Sequence, residues 1–123
     1  MCYTIAPSPD AKYIVLKVTG NMTCQLAMQQ NREAHAMGKK LGIHRYLVDV
    51  TESRNVESAV DNYRFAYDDM RQAPDIDKTA RVAMLVSPGD HSHDFVETVV
   101  RNAGLSVRLF TDRELAVGFL LED

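Results

Sequence analysis

The sequence predicts an α/β fold, a single domain over residues 1–123 with a mostly parallel five-stranded sheet, and three observations lead there. The stretch from Ala80 to Phe110 reads as an apolar strand, a turn at Ser87-Pro88-Gly89-Asp90, an amphipathic helix from His91 to Ala103, a stop at Gly104 and a second strand from Leu105. A strand that is apolar on both faces cannot meet water, and its parallel neighbour is reached only through a crossover such as this helix. The same alternation of helix and strand occurs upstream, from Thr23 to Val50. Two β-prone runs at the start, separated by a proline-containing turn, add a hairpin and so an antiparallel edge strand. The predicted order is ββαβαβαβα.

Taken in order, Tyr3 to Ala6 is the first strand, closed by Pro7-Ser8-Pro9-Asp10. Tyr13 to Val18 is the second, ended by Gly20-Asn21. Thr23 is a good N-cap, and Leu26, Ala27, Ala34, Met37 and Leu41 recur at helical spacing until Gly42 offers a left-handed stop. Lys39 and Lys40 fall in the last turn, where cations suit the helix dipole. Ile43 to Val50 is the third strand, its apolar centre suited to an inner position, and Thr51 to Asn55 reads as a polar loop. A helix from Val56 to Arg71 places Val56, Ala59, Val60, Tyr63, Tyr67 and Met70 on one stripe. At the end, Thr111 with Glu114 forms a capping box that starts a helix packed through Leu115, Ala116, Phe119 and Leu120.

Composition excludes several classes. With 123 residues, 46% hydrophobic and 25% charged, the chain sits at the globular average and can sustain a core of its own. The net charge of −3 gives no sequence-independent attraction to nucleic acid or to an anionic membrane. Apolar runs such as Tyr13 to Leu16 and Val82 to Val86 are far short of the roughly 20 residues of a membrane span. The N-terminus lacks the basic region and apolar core of a secretory signal, so a cytoplasmic address is expected. Cys2 and Cys24 have no metal-ligand spacing and are expected as reduced thiols. Neither a nucleophile elbow nor a glycine-rich phosphate loop occurs, and no cofactor is expected.

The candidate site follows from the topology, because ligands of open parallel sheets favour the carboxyl ends of the strands. Those ends collect Asp49, Arg54, Asn55, Ser87, Asp90, His91 and His93. Within the Asp90-His91-Ser92-His93-Asp94 turn, imidazole and carboxylate together are the chemistry of metal binding or proton transfer. If the helix starts at His91 with Asp90 as its cap, His91 and His93 point apart, while His91 with Asp94, and His93 with Glu97, share a face. Two donors such as His91 and Asp94 are weak metal candidates and do not close a site. Phe65 lies off the apolar stripe of its helix, an exposed aromatic that suits an interface or pocket. The edge strand at Tyr3 to Ile5 suits homodimerisation.

The order of elements resembles the STAS fold of the anti-sigma-factor antagonist SpoIIAA. The segments from Asn55 to Tyr67, Ala80-Arg81-Val82-Ala83, Ser87 to His91 and Asp94 to Thr98 resemble uncharacterised bacterial SpoIIAA-like proteins of the STAS/CRAL-TRIO-related group. The resemblance implies a non-enzymatic module for partner-switching regulation, binding a protein or a small ligand, or a carrier of a small apolar ligand. In SpoIIAA-type antagonists a serine of an Asp-Ser-Ser-Gly turn is phosphorylated. The matching stretch here is Glu57-Ser58-Ala59-Val60, so the resemblance makes Ser58 the candidate phosphosite, with the second serine and the glycine replaced. The rim expected to meet a ligand or partner is Arg54, Asn55, Ser58, Asp90 and His91. The alternative is a metal-dependent or acid–base enzyme using the Asp90 to Asp94 turn.

Overall fold

The computed structural model describes residues 2–56, 61, 64, 68, 72, 76–102 and 104–122. Its strands are β1 (Cys2–Pro7), β2 (Ile14–Met22), β3 (Arg45–Asn55), β4 (Arg81–Leu85) and β5 (Ser106–Phe110). Its helices are α1 (Cys24–Leu41), α2 (Asp94–Asn102) and α3 (Arg113–Leu120). The strands lie in chain order across one sheet, β1 antiparallel to β2 and every later pair parallel. This is the predicted mixed sheet. The predicted helix from Val56 to Arg71, with Ser58 and Phe65 on it, falls on a stretch largely outside the described residues.

Alternation along each inner strand sorts its side chains onto two faces. Leu16, Val18, Val48 and Val50 point to one side and form a core with Ala27 of α1 and Val100 of α2. Ile14 and Tyr46 extend that side against Ala34 of α1. Leu47, Ala83 and Leu85 point the other way and meet Ala116 and Leu120 of α3. Each fully buried aliphatic side chain of this kind stabilises the fold by roughly 1.5–3 kcal/mol.

Helix α1 is capped as its sequence suggests. Thr23 accepts the Leu26 N–H, and Gly42 at φ 71° ends the helix by donating to the Gly38 carbonyl. The buried stripe, however, is Ala27, Gln30, Ala34, His35 and Gly38, while Leu41 is exposed. Small residues let the helix lie close to the sheet, and His35 stacks flat on Tyr46 of β3 with ring centroids 4.4 Å apart. The Tyr46 hydroxyl donates to the Ile43 carbonyl at 3.3 Å. Burial, with the Asp77 charge adding to it, pushes the Tyr46 pKa up to about 12.

Several boundaries depart from the sequence expectation. Strand β2 runs past Gly20-Asn21 to Met22, and the predicted loop Thr51 to Asn55 is instead the end of β3. The two extensions pair with each other, Gly20 opposite Ser53 and Met22 opposite Asn55, after a register shift between Lys17 and Thr19. Ser53 Oγ donates to the Gly20 carbonyl at 2.7 Å, so pairing overrides the poor strand propensity of glycine and asparagine. Helix α2 starts at Asp94 rather than His91, and Asp90 is not its cap. Asp90 Oδ1 accepts the Ser92 N–H at 2.9 Å in a tight Asx turn, which precedes the helix. Helix α3 is capped by Asp112, not Thr111, through the N–H groups of Glu114 and Leu115. Leu115, expected in the core, is 64% exposed, and Ala116 and Leu120 are fully buried. Among the described residues no helix is long and apolar enough to cross a membrane.

Candidate functional site

The extension of β3 carries its end beneath the turn that follows β4, and three hydrogen bonds join the two. Ser87 Oγ donates to the Thr51 carbonyl at 2.6 Å, directly after β4. Gly89, at φ 85°, allows the reversal that returns the Asp90 N–H to the Ser87 carbonyl at 3.0 Å. The Asn55 N–H, at the last residue of β3, donates to Ser92 Oγ at 3.1 Å. His93 Nε2 faces the Ser53 carbonyl at 3.4 Å and the Asp90 carboxylate at 3.8 Å.

Charge knits the same place. Burial opposes ionisation of Asp90, but hydrogen bonds from Ser92 and the nearby His93 and Arg54 outweigh it and hold the carboxyl below its usual range. His93 is fully buried, and that burial pushes its pKa down despite the Ser53 carbonyl and the Asp90 and Asp94 carboxylates. The imidazole is therefore neutral near pH 7. On the surface above it, His91 Nδ1 meets Asp94 Oδ2 at 2.9 Å, both side chains being more than half exposed.

Of the predicted rim, Arg54, Asn55, Asp90 and His91 are brought to one edge of the sheet, and Ser58 lies outside the described residues. Asp49 is not part of it. Because β3 continues for six residues beyond, Asp49 is buried within the strand, where it accepts from Thr51 N and Oγ1 at 3.0 and 2.7 Å and lies 3.6 Å from Arg113. His93 and Glu97 share no ligand: Glu97 Oε2 accepts the Leu109 N–H of β5 instead. Ser92 carries no role in the sequence reading, although an Asp followed two residues later by Ser is a recognised turn signal. Among the described residues no group of three or more His, Cys, Asp and Glu side chains is placed to hold a metal. Cys24 is a half-buried thiol that donates to the Asp61 carbonyl at 3.5 Å.

The serine hydroxyls at this edge are occupied by the main chain: Ser53 by Gly20, Ser87 by Thr51 and Ser92 by Asn55. They shape a surface rather than present a nucleophile to a base.

No protein-family model matches the chain, and no curated protein matches it. Among solved structures, the crystal structure of an uncharacterized protein from the DUF3478 family with a SpoIIAA-like fold, from Shewanella loihica PV-4, is similar at a TM-score of 0.56 and 21% identity. The match covers 97% of this chain and 92% of that one. The fold is SpoIIAA-like. Within the SpoIIAA-like framework the rim lies at the carboxyl ends of the parallel strands β2 and β3, closed by the turn between β4 and α2. The Glu57 to Val60 stretch, matched above to the phosphorylated turn, lies outside the described residues.

Proposed function

We propose that this chain is a non-enzymatic regulatory module of the cytoplasm that docks a protein partner on the rim of Arg54, Asn55, Asp90 and His91, with Ser58 as the residue by which phosphorylation sets the docking. The observation that carries this reading is the composition of the rim surface. Val56 and Phe95 are 50% and 44% exposed, and they immediately flank the residues whose backbone and side chains form the edge, Asn55 on one side and Asp94 on the other. Apolar groups set among Arg54, Asp90, His91 and Asp94 form a mixed surface of the kind proteins use to recognise one another, an aromatic anchor with charged groups around it. The bonding of Ser53, Ser87 and Ser92 to the main chain favours docking over chemistry at the same place.

The test is affinity capture from lysate with the intact protein and with an Arg54→Glu/His91→Glu variant whose melting temperature matches wild type. Docking at the rim predicts a protein that co-purifies with wild type and is lost from the variant. The same profile from both overturns the reading. Ser58→Asp is expected to change that profile too, and an unchanged one removes the phosphoswitch.

A further inference from the structure

At the amino ends of the parallel strands, the opposite end from the rim, is a broad open cleft of about 530 Å³. Arg45 is the first residue of β3 and Arg81 the first of β4, and the two are register partners on adjacent strands. Their side chains therefore leave the sheet on the same face, side by side, and both line the cleft together with Lys12. Like charges placed opposite each other destabilise a strand pair unless something of the other sign lies between them. Among the described lining residues the one carboxylate is that of Glu122. His44 also lines the cleft, but its Nδ1 is matched by the Asp77 carboxylate at 2.5 Å. Asp10, next to Lys12 in the chain's first loop, already accepts from Ser8 Oγ at 2.6 Å and from the Lys12 N–H at 3.3 Å.

The two guanidiniums differ in what holds them. Nη1 of Arg81 donates to the Phe119 and Glu122 carbonyls at 3.0 and 2.7 Å, and the group lies over the Phe119 ring, 5.3 Å from its centre. These bonds cover the negative end of the α3 dipole and fix the group in place. The Nε and Nη2 edge of Arg81 has no hydrogen-bond partner among the described residues, and the Arg45 side chain has neither a hydrogen bond nor an ion pair there.

We infer that this cleft binds a small soluble phosphate monoester, its phosphate group held by Arg45 and Arg81 with Lys12 beside them. Three properties set that class. Lys12, Arg45 and Arg81 against Glu122 leave a surplus of positive charge that suits the dianion of a phosphate better than a single carboxylate. Guanidinium forks on strands about 4.8 Å apart offer paired N–H donors to the several oxygens of one phosphate. The volume falls within the range of small-molecule sites and exceeds a lone phosphate ion, which leaves room for a body of about a sugar's size. Helix dipoles attract anions at the other end of such a sheet, so here the cationic side chains supply the attraction. The site is separate from partner docking, because Arg54, Asn55, Asp90 and His91 lie at the carboxyl ends of the strands.

The experiment titrates inorganic phosphate, glycerol 3-phosphate and acetate into the ¹⁵N-labelled protein at matched ionic strength and follows the arginine Nε–H signals by NMR. The expected result is saturable movement of the Arg45 and Arg81 signals with both phosphates, and binding at least about tenfold weaker for acetate, which forgoes the charged hydrogen bonds of the second fork. Arg45→Gln should weaken phosphate binding about tenfold, and Arg45→Lys should recover part of the loss. Glu122→Gln, which removes the opposing charge, should tighten binding severalfold. Acetate binding as well as phosphate overturns the inference, as does a linear, unsaturated response like that to sodium chloride. Equal phosphate affinity in Arg45→Gln and wild type overturns it too. Pelleting with phosphatidylcholine vesicles that carry phosphatidic acid, without saturation by either soluble phosphate, overturns the soluble class. The wild-type comparison of phosphate with acetate decides the matter even if a variant does not fold. Failure here leaves rim docking standing, because partner capture is read at the other end of the sheet.

Discussion

Glu97 Oε2 of α2 accepts the main-chain N–H of Leu109 in β5 at 2.6 Å. Strand β5 is the last in the sheet order, so among the described residues no strand pairs with it on the side away from β4. An edge of unpaired N–H and C=O groups is a template for another chain, and a carboxylate set on it blocks that approach. Glu97→Ala should cost about 1 kcal/mol, the loss of one charge-assisted hydrogen bond at a partly buried site, in urea denaturation. It should also raise self-association measured by sedimentation velocity. A variant that stays at the wild-type association state would show that β5 needs no such guard.

Gly38 of α1 faces Tyr46 of β3 with no room for a side chain between them. A Cβ there would lie 2.7 Å from the Ile43 carbonyl and would press on the Tyr46 hydroxyl. Alanine is favoured over glycine by about 1 kcal/mol inside a helix, which argues for stabilisation. Overpacking costs about 1–3 kcal/mol, and one of the atoms met is backbone, which cannot swing aside. The clash should win, and Gly38→Ala should be destabilised by about 1–2 kcal/mol in urea denaturation. It should also alter the near-ultraviolet signal of Tyr46, whose ring is stacked on His35.

What the sequence made legible was the part decided by local periodicity. The apolar runs at Tyr46 to Val48 and Val82 to Val86 fall on inner strands of a parallel sheet as their composition predicts, the second running into the turn by one residue, and Gly42 stops α1 where expected. The ends of β2 and β3 were not legible, because Gly20, Asn21 and Ser53 to Asn55 are held in strand by each other and by Ser53 Oγ on the Gly20 carbonyl. Such cross-strand support has no signature within either segment alone. Four members of the predicted rim gather at one edge, yet His93, placed among them as a polar rim residue, is buried inside, since that depends on the Asx turn of Asp90 delaying α2 by three residues. Leu115 misled for a related reason: once Asp112 caps α3, the inward face is set by Ala116 and Leu120.

The pH dependence of stability has a component from His93 with a definite sign. Burial holds its folded pKa below the ordinary 6.5, so under mildly acidic conditions the unfolded chain binds a proton that the folded chain refuses. Stability is therefore full above about pH 6.5 and declines as pH falls below it. Urea midpoints at pH 7.5, 6.5 and 5.5 should drop in that order. His93→Gln, which cannot protonate, should have a shallower decline, and an equal decline in both proteins would assign the proton elsewhere.

Asp77 supplies a second, more acidic component. Burial works against its charge, but hydrogen bonds from His44 at 2.5 Å and from Thr79 Oγ1 and N at 2.6 and 2.9 Å bring its pKa down to about 2, from 3.8. A carboxyl whose pKa is depressed in the fold stabilises above its unfolded value, and that contribution is lost as pH falls from 3.8 toward 2. Solvent reaches this side chain, so about 1 kcal/mol is expected rather than the full amount its shift implies. Asp77→Asn should lose that much at pH 7 and approach wild type near pH 2, as followed by thermal denaturation.

Two neighbouring residues compete to cap α3, and their substitution separates them. A threonine followed three residues later by glutamate is a capping box by sequence, which names Thr111. Asp112 instead has extended backbone angles of φ −120° and ψ 122°, and its Oδ1 accepts from the N–H groups of both Glu114 and Leu115, at 2.8 and 3.3 Å. Its charge also sits at the positive end of the helix dipole. Replacing an Asp cap by alanine costs about 1 kcal/mol, whereas an exposed threonine one position earlier has no orphan N–H to serve. Asp112→Ala should therefore lower the melting temperature by about 4 °C, the shift that about 1 kcal/mol produces in a chain of this size. Thr111→Ala should leave it within about a degree, and the reverse ranking would restore the capping box.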